Sequence, residues 1–493
     1  VIFNRSKIQG ACRGFIAYAL NNASPRIQLA FIAILVKLIG VSFIGLAYIF
    51  NYQPLTIVTS MLLLVWLGVM FAIAIPQTDV FLAARRRWLK KAWHVSIVIL
   101  SIVVIAEILV LTVVHTSSNN DNILSSSTKD SIKHAFADSD ATMLIKQATE
   151  NVLDGKNPYV HADTISAIMR YNSDNSPWNK ITPIRTGQFA DAFPYPTEAQ
   201  LQLVWQDAVA STAGQPTPEI ESRLNYPAAS FLLLTPFRAL GIDNLGIALL
   251  IIIIPVLVCA AMSMQPQQRI YFILYILFAF ELWNTLLSGD VRMLYLPFVL
   301  AGWLMAPRRP WLSAIFIGIA VATRQNCWFL LPFYLIYIWQ TAGSRTALRS
   351  GAITAATFLG INAPFIIAAP QVYLSSVLAP LTANFFPMGN GLISLVTSGI
   401  IHLDSLVLFS VMEIVILVGC VLWYKRYAKR YPHTGIILAV IPLFFAWRSL
   451  LGYFYIVDIV LIAAILSQQR NSTAKALPAA YDETHALVPS TYP

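Results

Sequence analysis

The chain has 493 residues, of which 57% are hydrophobic and only 11% charged, with mean hydropathy +0.66 and a formal net charge of +10. About a quarter of the residues in a water-soluble domain are charged, so the composition excludes a soluble globular protein and implies a polytopic membrane protein. The positive balance does not imply nucleic acid, because many basic residues fall in short loops between apolar runs, where positive-inside topology puts them.

The amino-terminal segment, with Arg5, Lys7, Arg13 and Arg26, is mixed and basic and lacks the apolar core and cleavage site of a signal peptide. Apolar runs follow at 28–49, 55–75, 94–114, 244–264, 270–287, 291–306, 311–325, 327–340, 351–369, 404–424, 435–447 and 450–467. Read as spans, they predict an all-α fold with about 12 transmembrane helices. The basic loops are Arg85-Arg86-Arg87 with Lys90-Lys91, Arg269, Arg308-Arg309, Arg345 with Arg349, and Lys425-Arg426 with Lys429-Arg430. All of them then share one side with the amino-terminal segment, which makes that side and both termini cytoplasmic. Cys12, Cys259, Cys327 and Cys420 lie in or near apolar segments or the amino terminus, so no disulfide framework is implied in the polar loop.

The polar stretch 115–226 is the first large loop and falls outside. It opens on Ser117 to Lys133, whose Ser/Asn/Asp-rich composition is that of a mobile linker. A helix is expected over 140–154, with Leu144, Ala148 and Val152 on one stripe. Turns at Pro177, Pro183, Pro194 and Pro196 lead to a second helix near 197–211. The apolar segment 226–240 is too short for a span and reads as an interfacial or re-entrant helix. Three parts result: 1–93 with two amino-terminal spans, a membrane core 94–467, and a polar tail 468–493 with the composition of a disordered segment.

The candidate chemistry begins in the outer loop. Asp138-Ser139-Asp140 precedes the first loop helix, and Gly155-Lys156-Asn157-Pro158-Tyr159 follows it. One reading makes Ser139 or Asp140 the helix cap and Gly155 its left-handed stop. The other makes Asp140 a general base on an acceptor hydroxyl, with Asp138 its nearest substitute. Far along the chain, Arg292, Arg324 and Arg448 fall at outer turns, against the positive-inside bias, and ionisable groups near hydrocarbon are functional candidates by default. Arginine suits phosphate, because its planar fork donates two parallel hydrogen bonds and stays charged. Arg292 has a local alternative in Asp290.

His134 and His161 flank the motif without metal-site spacing, and Glu219 and Glu221 before Arg223 read as a solvated cluster. Phe386 to Gly391 reads as a turn, and Tyr226, Tyr453 and Tyr455 as interfacial belt residues. No nucleotide or serine-hydrolase signature stands in a credible setting, so neither a cofactor nor a metal is implied.

Asp140 followed by Leu153-Asp154-Gly155-Lys156-Asn157-Pro158-Tyr159 resembles the first outer loop of GT-C membrane glycosyltransferases, nearest the branch that uses polyprenyl-phosphate-mannose. Asn225-Tyr226-Pro227-Ala228 through Thr235-Pro236-Phe237 is similar to the family's tyrosine-proline-proline segment, with Ala228 in place of the second proline. Ala322-Thr323-Arg324-Gln325 through Leu331-Pro332-Phe333 resembles a third segment, with Arg324 where lysine is common; Gly389-Asn390 and Arg448 to Tyr455 are compatible. The resemblance spans about 94–460, leaving the first two apolar runs as an amino-terminal addition.

It implies a multi-pass plasma-membrane mannosyltransferase of the cell envelope. Such an enzyme inverts the sugar in one displacement from a polyprenyl-phosphate donor to a glycan, glycolipid or protein hydroxyl. Asp140 would be the base and Arg324 the donor-phosphate ligand, with Arg448 and Arg292 helping. Asn157, Tyr159, Tyr226, Gln325, Asn390 and Tyr453 would line the substrate cavity. Two other readings stay open: a transporter or flippase for an anionic lipid-linked substrate, and a non-catalytic partner that keeps the fold.

Overall fold

The computed structural model describes residues 22–50, 52–117, 139–172, 176–211, 217–403, 405–454 and 457–468. Asp138, His134, Tyr455, most of the Ser117–Lys133 stretch, the first basic residues and the tail from 469 lie outside the described residues. Among the described residues the fold is all-α but for one two-residue parallel pairing, β1 (Met388–Gly389) with β2 (Arg448–Ser449), and the isolated antiparallel bridges Pro183 to Ile220 and Ile184 to Phe385.

Among the described residues, seven helices are long and apolar enough to cross a bilayer: Pro25–Ala47, Leu55–Ala74, Arg86–Leu109, Leu245–Met262, Ser344–Ala368, Val407–Tyr427 and Leu451–Gln468. An eighth span results if Pro266–Leu277 and Phe280–Ser288, bent by 57° at their break, count as one. The protein is therefore a multi-pass membrane protein, and the expected count of about 12 full spans is corrected to seven or eight among the described residues. The physical reason is helix length. Runs 291–306, 311–325 and 435–447 become the shorter helices Val291–Met305, Pro310–Thr323 and Thr434–Phe445. The 14 residues of Pro310–Thr323 reach only about 21 Å, against roughly 30 Å of hydrocarbon. Run 327–340 is shortened too, its start taken by a 3-10 turn, Gln325–Phe329, before the helix Leu330–Ala342.

Each of the three short apolar helices has one of the conspicuous arginines at one end: Arg292 at the start of the first, Arg324 just after the second, Arg448 just after the third. Over them lies the outer loop. Its first helix, Asp140–Leu153, buries Leu144 and Ala148 of the expected stripe and half-buries Val152, and Gly155 follows with φ +71°. The second loop helix, Glu198–Ala210, starts on a capping box of Thr197 and Gln200. Segment 226–240 forms two short helices, Ala229–Leu232 and Thr235–Ala239, not a span. At its start the Ala228 N–H donates to the buried Asn362 side chain at 2.8 Å. A proline there has no such N–H to give.

The first two spans pack into the same hydrophobic core as the rest. Lys37 of the first span donates to Asp458 of the last helix at 2.8 Å and reaches Glu281 of the bent pair at 3.0 Å. All three side chains are buried, and the Lys37 ammonium also lies 5.0 Å from the centre of the Trp66 ring. Arg26 pairs with Asp79 at one end of the first span, at 2.6 Å, and Ile44 near its other end lines the cleft described below. Eighteen residues of helix separate Arg26 from Ile44, roughly 27 Å. The cleft thus opens away from the Arg26–Asp79 end and its neighbours Arg85–Arg87.

Removing one member of a buried ion cluster strands the others, which typically costs about 3–5 kcal/mol. Lys37→Met is expected to lower the unfolding midpoint of the detergent-solubilised protein by that scale. Neutralising the carboxylates as well (Glu281→Gln, Asp458→Asn) is expected to recover most of the loss. A Lys37→Met protein as stable as its parent would refute the cluster's role in joining first span to last.

Candidate functional site

A cleft of about 590 Å3 lies where the outer loop meets the ends of the short helices. Asp140, Tyr226, Asp290, Arg292, Arg324, Asn390, Arg448 and Tyr453 all line it. An apolar groove of about 410 Å3 shares Asn225, Tyr226, Arg324, Arg448, Leu450 and Tyr453 with the cleft. The groove continues along Trp328, Phe329, Pro332, Leu417 and Leu443. Arg324 and Arg448 therefore stand at the junction of a polar and an apolar compartment.

The cap question resolves locally. Ser139 Oγ accepts the Thr142 N–H at 3.2 Å, so Ser139 is the N-cap and Asp140 the first helical residue. The Asp140 carboxylate is released from capping. Oδ1 accepts the Ala141 N–H at 2.7 Å, and Oδ2 accepts the Thr182 hydroxyl at 2.8 Å. Thr182 is held in turn, its carbonyl accepting the Glu221 N–H at 2.9 Å.

Arg324 leaves the helix Pro310–Thr323 in extended conformation, and its guanidinium stacks 4.9 Å from the centre of the Tyr226 ring. Arg448 is placed by β2, and its guanidinium lies 4.6 Å from the centre of Phe385. Segment 386–391 is more than a turn: Asn390 N–H donates to the Ser449 carbonyl at 2.8 Å, and Gly389, at φ +126°, pairs with Ser449. A Cβ at Gly389 would lie 2.1 Å from the Ser449 carbonyl oxygen, so the close approach that fixes Arg448 requires glycine.

Charge bookkeeping separates these groups. Three carboxylates line the cleft: Asp140, Glu221 and Asp290. Glu221 is buried and bidentate on Arg223, with both contacts at 2.7 Å, so it is not the solvated group its sequence suggested. Asp290 holds Arg292 through Nε at 2.8 Å and through Nη2. Among the described residues, Asp140 makes no ion pair, and neither the Arg324 nor the Arg448 guanidinium makes an ion pair or a hydrogen bond. Among the described residues, one carboxylate and two guanidiniums are thus left without an ion pair in one cleft, which Lys180 also lines. Tyr195 and Tyr226 sit between them. Burial pushes the Tyr226 phenol up to about 12 despite the opposing pull of Arg324, with Asp140 raising it further. Burial likewise pushes Tyr195 up, with Arg448 pulling it down and Asp140 adding to the rise. Both phenols thus remain protonated donors at neutral pH.

Of the other expected cavity residues, Tyr453 lines both compartments, Asn390 the cleft and Gln325 the groove, where its side chain donates to the Asn225 and Val377 carbonyls. Asn157 and Tyr159 line neither. Asn157 caps the short helix Pro158–His161 by accepting the Tyr159 N–H at 3.1 Å. The Tyr159 hydroxyl donates to the Tyr226 carbonyl at 2.8 Å, and its ring packs on Phe231, Phe365 and Tyr373. Both brace the loop behind the site. Sequence reading missed Thr182, Tyr195, Asn179, Lys180, Ile44 and Glu413, which lie in segments with no charge anomaly or motif, apart from Glu413, a lone acid inside an apolar run. No three His, Cys, Asp or Glu side chains come together as metal ligands among the described residues.

Comparison with protein-family models, curated proteins and solved structures finds no match to this chain.

Gly391 packs as tightly as Gly389, since a Cβ there would lie 2.1 Å from the Phe444 carbonyl oxygen and 2.4 Å from Ser449 Oγ. Gly391→Ala is expected to destabilise the protein by about 1–3 kcal/mol in thermal unfolding. Gly419→Ala, where a Cβ meets nothing within 4 Å, is expected to leave the midpoint unchanged or raised. Equal effects of the two changes would contradict the tight packing behind Arg448.

Proposed function

We propose that this protein is a membrane glycosyltransferase. It transfers a sugar, mannose by resemblance, from a polyprenyl-phosphate donor to a hydroxyl of a glycan, glycolipid or protein. The observation that carries the reading is the juxtaposition of Asp140, Arg324 and Arg448, none of them in an ion pair among the described residues, with both guanidiniums at the mouth of an apolar groove. A donor with a hydrocarbon tail, one phosphate and a sugar matches those three surroundings in that order. The cleft lies at the end of the first span away from Arg26, which under the positive-inside rule is the extracytoplasmic face. The short helices with the seven or eight spans would then form a GT-C-like core in the plasma membrane.

In the reaction, Asp140 accepts the acceptor hydroxyl proton as that oxygen bonds to the anomeric carbon. The bond from that carbon to the phosphate oxygen breaks, and its electron pair leaves on the lipid phosphate. Single displacement inverts the anomeric centre. The charges balance at both ends. Before transfer, two guanidiniums face one carboxylate and one phosphodiester anion. Afterwards Asp140 is neutral, and the same guanidiniums face a phosphomonoester dianion. Thr182 holds the base in position, and the protonated Tyr195 and Tyr226 supply donors to sugar hydroxyls or phosphate. No step calls for a nucleotide.

The test is transfer of radiolabelled mannose from polyprenyl-phosphate-mannose in membranes holding the protein. Asp140→Asn is expected to reduce transfer by about 10²–10⁴-fold with expression unchanged. Unchanged transfer would sink the base assignment. Arg324→Ala and Arg448→Ala are each expected to lose about 10²–10³-fold, and Arg292→Ala distinctly less because Asp290 already compensates its charge. Equal losses for the three would contradict the division of charge.

A further inference from the structure

The apolar groove contains one acid that the proposed reaction does not use. Glu413 lies on the span Val407–Tyr427, half-buried, and faces the groove alongside Leu417, Leu443 and Pro332. It makes no hydrogen bond or ion pair among the described residues. The other charged groups of the groove are Arg324 and Arg448 at its mouth, and its other titratable groups are Tyr226 and Tyr453. The helices packed most closely on the Glu413 span are Leu330–Ala342, Thr434–Leu438 and Ile441–Phe445. They contain no Asp, Glu, Lys, Arg or His, and only Tyr334 and Tyr337 among titratable side chains. None of these three helices brings a cation to the carboxylate.

With no protein partner among the described residues, an ionised Glu413 depends on water entering the groove for its solvation. A seated hydrocarbon chain displaces that water and offers no hydrogen bond in return, so the charged form becomes very unfavourable and the neutral form is favoured. The phosphate end has no such difficulty, because Arg324 and Arg448 receive it. Building on the lipid-phosphate reading above, we propose that Glu413 is a specificity-determining residue of the groove, which must be protonated for the hydrocarbon chain to seat. Binding of a lipid phosphate therefore takes up one proton at a site remote from the reacting atoms, and affinity falls as pH rises. The arrangement also disfavours amphiphiles that carry a second negative charge along the chain.

The probe is a methyl polyprenyl phosphate, a diester whose single charge does not titrate between roughly pH 5 and pH 9. Its binding is measured with the full-length protein in phosphatidylcholine nanodiscs. Wild-type affinity is expected to weaken with rising pH, by up to about tenfold per unit where Glu413 gains its proton on binding. Glu413→Gln, which keeps the shape and removes the charge, is expected to bind tightly with less than about twofold change over the range. Glu413→Ala is expected to be equally flat in pH. A Glu413→Gln protein that keeps the wild-type slope while Arg324→Ala still weakens binding would overturn the role of Glu413 alone. Absence of binding to every variant at every pH would overturn this inference together with the lipid-phosphate reading.

Discussion

A guanidinium cannot rest in hydrocarbon, and most of this molecule is arranged around that constraint. Val291–Met305, Pro310–Thr323 and Thr434–Phe445 are shorter than a full span, and Arg292 stands at the start of the first, Arg324 and Arg448 just after the second and third. The arginines stand at the ends of these helices, and the outer loop closes over the cleft that they line. Its charge follows from which arginines find a carboxylate on the way. Arg292 has Asp290 two residues before it, whereas Arg324 and Arg448 have only aromatic faces.

The same arrangement joins the membrane part to the loop. Tyr226 stacks under Arg324, accepts Tyr159 through its carbonyl and shares the cleft with Asp140. Behind the loop helix, Glu150 pairs with Arg170 at 2.9 Å and with Arg238, tying it to the short helices after Tyr226. From below, Lys37, Glu281 and Asp458 tie the first span to the bent pair and the last helix, and the last helix leads out of the Arg448 segment. Asp140 and the two arginines come from parts of the chain more than a hundred residues apart, and each is fixed by its own local device: a helix start, a helix break and a parallel backbone pairing.

Much of this was legible in the sequence, and what failed did so for identifiable reasons. Hydropathy marks apolar runs but does not see that Val291–Met305 and its two short neighbours fold as helices shorter than a full span, which is why seven or eight spans, not about 12, are found among the described residues. The loop helices, the stripe of Leu144 and Ala148, and the stop at Gly155 were readable, because capping and periodicity are local. That Ser139, not Asp140, takes the cap depends on where the helix begins, to one residue. Arg324 and Arg448 stood out as violations of a charge rule. Thr182 and Tyr195 did not, because a threonine or tyrosine in a proline-rich loop violates nothing. Asn157 and Tyr159 belong to a recognisable motif but serve it as a brace. The amino-terminal pair, read as an addition, supplies Lys37 to the core and Ile44 to the cleft, contacts that only three-dimensional packing reveals.

In the proposed reaction, one lipid phosphate bridges the two compartments at Arg324 and Arg448, with its sugar toward Asp140. An experimental structure of the protein with a non-hydrolysable polyprenyl-phosphate-sugar analogue tests it most directly. The account predicts phosphorus density between the two guanidiniums, the hydrocarbon chain along Trp328 and Leu443, and the anomeric carbon facing the Asp140 carboxylate. An analogue bound elsewhere, or seated with its phosphate away from both arginines, would contradict it.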